Sequence, residues 1–417
     1  MIHQDRFGLE FSAASDRAAE IYREAIDAFL GARESVESLF NELLAEDPEC
    51  ALGRIGLARL RQSQGRGAEA RAEADRALAL ALALPDRQTS HVAALASVVR
   101  GQGAKALAAV TAHLDRYPRD IFVLVPVAGV FGLFGFSGQT GREEALFNYL
   151  APRRQAFSDD GWFLAALAFA ECETGRLVAA SEHIDQAWEI NSASANTAHI
   201  RAHVEYERGR SDLAAQWLPQ WLNDYRREGI MHCHLAWHVA LAHLRAGELD
   251  SAYGVFQAAI QPLDSAHGPG AWGPPLNLVT DASSFLFRAQ IRGMPVTREH
   301  WQVLLERARS LFPRPGLRFA DVHIALCLAM AGDVPALNDW LEAIDGPTAS
   351  VIRNLGQAFA AIEQSRWSVA VDAFETTRGL SEVLGGSRAQ RDLLVEAWQY
   401  ASGFGQPISN AVSAPRL

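Results

Sequence analysis

Lysine is almost absent from this chain. Of 38 basic residues, Lys105 alone is a lysine and the others are arginine. A Schiff-base nucleophile or a phosphate-loop lysine therefore has no recognisable seat, and no G-x-x-x-x-G-K-[ST] occurs. A basic excess is also missing. The 49 acidic residues leave a net charge of −11, which argues against nucleic acid or an anionic membrane as partner, since both want a basic face. The four cysteines, Cys50, Cys172, Cys233 and Cys327, lie far apart with no C-x-x-C pair. That excludes a thiolate zinc ribbon and gives no reason to expect disulfides. No apolar run approaches the ~18–20 residues of a membrane span. The nearest, residues 121–136, is broken by Pro126 and several glycines. The first residues lack the basic start and apolar stretch of a signal peptide. Together these absences set the expectation of a soluble, cytoplasmic protein.

What is abundant is apolar surface and a regular punctuation. Hydrophobic residues make up 49% of the 417, enough for a large core. An apolar helical stretch, a break at glycine, and alanine five residues later recur as Gly65 with Ala70, Gly101 with Ala106, Gly175 with Ala180, Gly209 with Ala214 and Gly247 with Ala252. Ser365 with Ala370 repeats the pattern without glycine, and Gly332 with Leu337 is a weaker copy. Glycine ends one helix in the left-handed conformation. Alanine then lets the next helix approach closely. The spacings from Gly175 to Gly209 and from Gly209 to Gly247 are about one tetratricopeptide period of ~34 residues. Ser15-Asp16 reads as a helix cap, and Asp47-Pro48, Tyr117-Pro118 and Asn191-Ser192 fall where hairpins should join. No stretch alternates strictly enough to suggest a sheet. The expectation is an all-α fold: one continuous α-solenoid of tetratricopeptide-like helical hairpins over residues 1–402, with a frayed tail over 403–417. Two stretches break the rhythm. Residues 131–138 are too glycine-rich for a helix interior, and residues 264–277, with Gly268, Pro269, Gly270, Gly273, Pro274 and Pro275, read as a long loop or lid carrying His267 and Trp272.

The chain resembles the tetratricopeptide repeat protein 38 family over almost all of its length. The likeness is carried by Asp5-Arg6-Phe7-Gly8-Leu9 with Ser12-Ala13-Ala14-Ser15, by Asp47-Pro48 with Ala51-Leu52-Gly53, and by Leu133-Phe134-Gly135-Phe136-Ser137-Gly138. More specific are His199-Ile200-Arg201-Ala202-His203-Val204 and His234-Leu235-Ala236-Trp237-His238-Val239-Ala240-Leu241. Asp281-Ala282-Ser283, Asp321-Val322-His323 and Gly385-Gly386-Ser387-Arg388-Ala389-Gln390-Arg391-Asp392 complete the set. Arg54 and Arg388 stand where the family has histidine, and Leu235 where it usually has asparagine. The resemblance implies the solenoid and brings no family-wide reaction with it.

Six of the 13 histidines lie between His199 and His243. His199 and His203 are four apart, as are His234 and His238, so each pair shares a helix face. His199 and His203 stand ten and six residues before Gly209, at inward-facing positions of a first helix; His234 stands thirteen before Gly247 and faces inward too, whereas the register of His238 is less well defined. Two such pairs on neighbouring first helices can converge on one point of the concave surface. Neutral imidazole ligates Zn, Fe and Cu, with carboxylates completing such sites. Asp281, Asp321, His323 and Glu171 are the acid, base or completing groups in range. Histidine pairs at this spacing also serve as packing residues hydrogen-bonded to a neighbour, and that alternative stays open. His232 falls near a helix start and His243 at a hairpin crossing. Residues 385–392 read as a capped helix entrance, where backbone N–H groups with Arg388 and Arg391 can receive an anion or pair with nearby acids. Trp237, beside His238, is the aromatic candidate for a pocket wall, and Arg288 a polar anchor.

Two functional readings follow. One is a scaffold whose His-rich concave groove binds a peptide, a protein segment or a small anionic ligand through the histidines, Arg201 and Arg288. The other is a metal-dependent enzyme, hydrolytic or redox, using His199, His203, His234 and His238 with Asp281 or His323. The discriminating observation is geometric: ligand-range imidazoles around a closed pocket favour the enzyme, and separated imidazoles in an open groove favour the scaffold. Solenoid edges often pair, which leaves a homo-oligomer open.

Overall fold

The computed structural model describes residues 1–260 and 273–408. Most of the predicted loop at 264–277 and the end of the predicted tail lie outside the described residues. The chain is an all-α, tetratricopeptide-like solenoid. Its hairpins are α1 (Asp16–Leu30) with α2 (Val36–Glu46), α3 (Ala51–Ser63) with α4 (Gly67–Ala81), and α5 (Asp86–Val99) with α6 (Gly103–Arg116). An irregular passage holds α7 (Ile121–Leu124) and α8 (Arg142–Leu150). The hairpins resume with α9 (Gly161–Glu173) and α10 (Leu177–Ile190), α11 (Ala195–Glu207) and α12 (Ser211–Asp224), and α13 (His232–Ala246) and α14 (Leu249–Val255). Then come α15 (Pro275–Gln290) with α16 (Arg298–Leu311), α17 (Arg318–Met330) with α18 (Val334–Glu342), α19 (Ala349–Glu363) with α20 (Trp367–Glu375), and a closing α21 (Arg388–Ser402).

The repeat punctuation works as its chemistry requires. Gly209 takes φ 70°, a left-handed conformation that L side chains rarely adopt, so the chain can reverse between α11 and α12. Gly65, Gly101, Gly175, Gly247 and Gly332 take positive φ likewise, and Ser365 does so without being glycine, at φ 56°. The alanines five residues on, from Ala70 to Ala370, are all buried. First helices pack side by side: α9 on α11, α11 on α13, α13 on α15, and α15 on α17. Ser15 caps α1 by accepting from the Ala18 N–H at 3.1 Å.

One expectation fails. The N-terminal residues form a small antiparallel hairpin, β1 (Ile2–Gln4) with β2 (Glu10–Ser12), His3 opposite Phe11. Strands of three residues are too short to display an alternation, so periodicity could not reveal them.

The superhelix also folds back on itself. Near its start, the Ala195 N–H donates to the Gly31 carbonyl at 3.1 Å, Asn196 Nδ2 to Leu30 O at 2.6 Å, and the Tyr225 hydroxyl to Ala32 O at 2.5 Å. Near its end, Arg142 donates to Glu382 O at 2.8 Å and to Gly386 O at 2.6 Å. Helices from both halves line a cavity of about 1620 Å³ that opens to solvent, with His199 and His234 on its wall.

Candidate metal centre

The four histidines come together. His199 and His203 project from α11, His234 and His238 from α13, and one ring nitrogen of each lies within 4.8 Å of the others. The Nε2 atoms of His199 and His203 are 2.9 Å apart. Ring centroids of His203 and His238 are separated by 4.6 Å, and those of His199 and His234 by 4.7 Å. All four are buried, His203 completely. His238, whose register was the least defined, belongs to the group.

What surrounds the quartet fixes its chemistry. Asp281, from α15 and fully buried, accepts from His234 Nδ1 at 2.8 Å, and Asn277 Nδ2 holds the same oxygen at 3.3 Å. With Nδ1 committed to a carboxylate, Nε2 is the nitrogen of His234 left to ligate, the arrangement that orients ligating histidines in metalloproteins. Trp237 stacks on His234 at 5.3 Å and 12°, and the Arg288 guanidinium lies 5.7 Å from the Trp237 ring. Phe169 closes the other side, edge-on to His203 at 5.4 Å. Nδ1 of His203 and Nε2 of His238 are buried without a hydrogen-bond partner among the described residues, which is uncommon for polar atoms and asks for a reason. Burial, followed by repulsion from the neighbouring imidazoles, pushes His199 and His238 far below the ordinary imidazole range. The same causes take His203 down to about 3. These rings are neutral at physiological pH, the form that ligates metals.

Does a metal fit? Tetrahedral zinc with nitrogens at ~2.0–2.1 Å places the nitrogens roughly 3.3–3.4 Å from one another. The quartet, with one separation of 2.9 Å and an outer limit of 4.8 Å, brackets that value.

The remaining expected site residues are dispersed. Glu171 is 2.8 Å from His183 Nδ1, on the α9–α10 face rather than at the quartet. His323 donates through Nδ1 to the Phe319 carbonyl, 2.7 Å away; burial lowers it to about 4. Asp321 lies on the cavity wall and accepts the Gly316 N–H at 3.2 Å. Trp237 has no exposed surface and stands behind the quartet. Arg288 is spent on Ser284, on the Ala389 carbonyl at 2.9 Å and on Glu396 at 3.4 Å. The predicted entrance to α21 exists, with Ser387 and Gln390 in a capping box. It is filled from within: the Arg388 N–H donates to Glu173 Oε2 at 2.8 Å, and Arg391 binds Glu143 and Gly386 O. His232 opens α13, and His243 bonds Glu248 at 2.6 Å.

A second group was missed. His91 (α5), His113 (α6) and Asp120 also lie within ligand range of one another, all buried. A signal was present: His91 stands ten residues before Gly101, as His199 stands ten before Gly209.

No family model matches the chain. A 67-residue stretch is 40% identical to a TPR repeat-containing protein of Synechococcus elongatus; it covers 16% of this chain and 17% of that one, about a sixth of the relative's length. Among solved structures, the human IFIT1 dimer with PPP-AAAA is similar at a TM-score of 0.44 and 13% identity, over 95% of this chain and 87% of that one. Yeast Tom70 is similar at 0.38 and 12%, over 93% and 88%. Superpositions that loose carry no functional information.

Proposed function

We propose that the imidazole quartet is a transition-metal centre, for Zn, Fe or Cu, set in the wall of a ligand-binding chamber, and that the protein is a metal-dependent enzyme of hydrolytic or redox type. We place the chain with the tetratricopeptide repeat protein 38 family on its motif set. The observation that carries the reading is the convergence of four buried ring nitrogens within 4.8 Å, with His199, His203 and His238 held neutral by burial and a carboxylate behind His234. A bound metal would supply Lewis acidity or an activated water, or electron transfer for Fe or Cu. The chain's residues would divide the remaining work. His203 and His238 hold from behind; His199 and His234 hold from the side that meets the chamber. Asp281 acts as a positioning residue, keeping the His234 ring oriented and its Nε2 deprotonated. Asp321, on the chamber wall, is the acid–base group this reading retains.

The scaffold reading keeps one support, the cavity itself. At about 1620 Å³ it exceeds the ~300–1,000 Å³ of ordinary small-molecule sites, leaving room for a short peptide as well as a small molecule.

The test is metal analysis of full-length protein purified without chelator or histidine tag. The expected result is close to one transition-metal ion per chain. Protein that carries none, and takes up none when offered Zn, Fe and Cu salts, sinks the enzyme reading and leaves the scaffold.

A further inference from the structure

The cavity holds a second polar feature, remote in sequence from the histidines. Arg59, on α3, stands six residues before Gly65, the register His203 occupies before Gly209, and so reaches the inner surface. It lies on the cavity wall, half-buried. Among the described residues it has no ion pair. Its hydrogen bond goes from Nη1 to the Gln62 side chain, which is itself anchored through Nε2 to the Val98 carbonyl at 3.0 Å.

The other arginines on this wall are differently placed. Arg66 is committed to Glu37 and to Glu69. Arg318 is spent on Thr348 Oγ1 and Phe136 O, both at 3.0 Å. Arg33 is exposed, next to the field of Asp27. A guanidinium offers five donors in a planar fork, and only one end of the Arg59 fork is held. Burial alone lowers it to about 10, so it carries its charge at neutral pH. A charge drawn out of water without a counter-ion is costly, and a ligand that supplies the counter-ion recovers that cost. The same wall presents Phe29, Trp162 and Phe169, surface for an apolar body.

We propose that Arg59 is the anion anchor of the chamber and that the chamber's ligand is an organic monocarboxylate with an apolar body. Bidentate Arg–carboxylate pairing gives the fork a matching partner. Arg59, partly buried and without a counter-ion among the described residues, balances one negative charge, whereas a phosphate monoester brings up to two onto a wall that already carries Glu34, Glu37, Glu228, Asp321 and Asp345. The proposal rests on Arg59 and the cavity, not on the histidines.

Calorimetric titration of full-length protein with phenylbutyrate, phenylbutyramide and phenylpropyl phosphate tests it. The expected result is an acid bound about tenfold more tightly than its isosteric amide, in keeping with a charge-assisted bidentate pair. Arg59→Met should abolish that preference, Arg59→Lys should keep part of it, and Arg33→Ala should leave it unchanged. Equal affinity for acid and amide in the wild type, no binding by any probe, or a preference that survives Arg59→Met overturns the proposal. Tighter binding of the phosphate overturns the carboxylate assignment. Because a metal could also take up the acid, the titrations are repeated on His203→Ala/His238→Ala protein, with metal content measured on the same samples. The preference should persist there; its loss with the metal would overturn the role of Arg59, while absence of metal throughout would overturn only the metal reading.

Discussion

Two buried histidine clusters grow from the same repeat position and end in different chemistry. His91 and His199 each stand ten residues before a hairpin glycine. At the first, a carboxylate occupies the centre. Asp120 Oδ2 receives Arg87 Nε at 3.0 Å and Nη2 at 2.7 Å, His91 Nδ1 at 3.0 Å and His113 Nε2 at 3.0 Å. Arg87 also reaches the Glu10 carbonyl at 2.9 Å, tying the β1–β2 hairpin to α5. One oxygen's lone pairs are already oversubscribed by nitrogen donors, and Arg87 also meets Asp5 at 3.5 Å. Although His91, Asp120 and the Nε2 of His113 are near enough to hold an ion, the position an ion would take is served by Arg87. At the second cluster, Asp281 touches His234 from outside and leaves the inner lone pairs facing one another. An acid inside the ring of imidazoles makes a structural staple; an acid behind it leaves a seat for a cation.

The sharpest way to break this contrast is to remove ligands from one cluster and the hub from the other. His203→Ala with His238→Ala should abolish metal content, read by elemental analysis, while circular dichroism shows the helices retained. Asp120→Ala should do the opposite. It takes the nearer of its two counter-ions from the buried Arg87, leaving Asp5 at 3.5 Å; losses of this kind cost up to about 3–5 kcal/mol, so the melting temperature should fall with metal content per folded chain unchanged. A loss of metal from Asp120→Ala, or unfolding from the double histidine change, would show the two clusters to be alike.

Next in size is the outer carboxylate. Asp281→Ala leaves His234 Nδ1 without its 2.8 Å partner. Second-shell losses of this kind weaken metal affinity by about 10–100-fold, measurable by competition against a chromophoric chelator. Asp281→Asn should recover part of the loss, because the amide oxygen can still accept from Nδ1. Affinity equal to wild type in both variants would mean that Asp281 serves packing alone.

How much of this could be read beforehand depends on whether the signal was local. The hairpins were legible because a positive-φ glycine and a small residue five places on are both written in adjacent sequence. The quartet was legible because two i,i+4 pairs inherit a common direction from that register. The His91 cluster was not, since its centre, Asp120, sits in the irregular passage after α6, where no period assigns a face. Nor was the folding back of the superhelix: Arg142 meets Gly386 across 244 positions, a contact no short-range pattern encodes. Arg288, Arg388 and Arg391 looked like ligand anchors for a related reason. A sequence shows a cation but not the Glu396, Glu207 and Glu143 that folding brings to Arg288, Arg388 and Arg391.

The response to acid compares the clusters within one molecule. In chelator-treated protein, His199, His203 and His238 are depressed in the folded state by burial and then by their neighbours. The unfolded chain takes up protons near the ordinary ~6.5, where the folded chain refuses them. Stability around α11 and α13 is therefore complete above ~6.5 and drains as pH falls toward the folded values, by up to ~1.4 kcal/mol per pH unit for each shifted ring. Around α5 and α6, burial depresses His91 in the same direction. Asp120, despite burial, is held well below the usual carboxylate range by His91 and Arg87. Its contribution is present above ~3.9 and lost only as pH falls through its lower folded value. Amide hydrogen exchange, corrected for intrinsic rates, should thus lose protection more steeply with acid in α11 and α13 than in α5 and α6 between pH ~6.5 and ~5. Parallel loss in both pairs of helices would mean that an inner carboxylate does not set the two clusters apart.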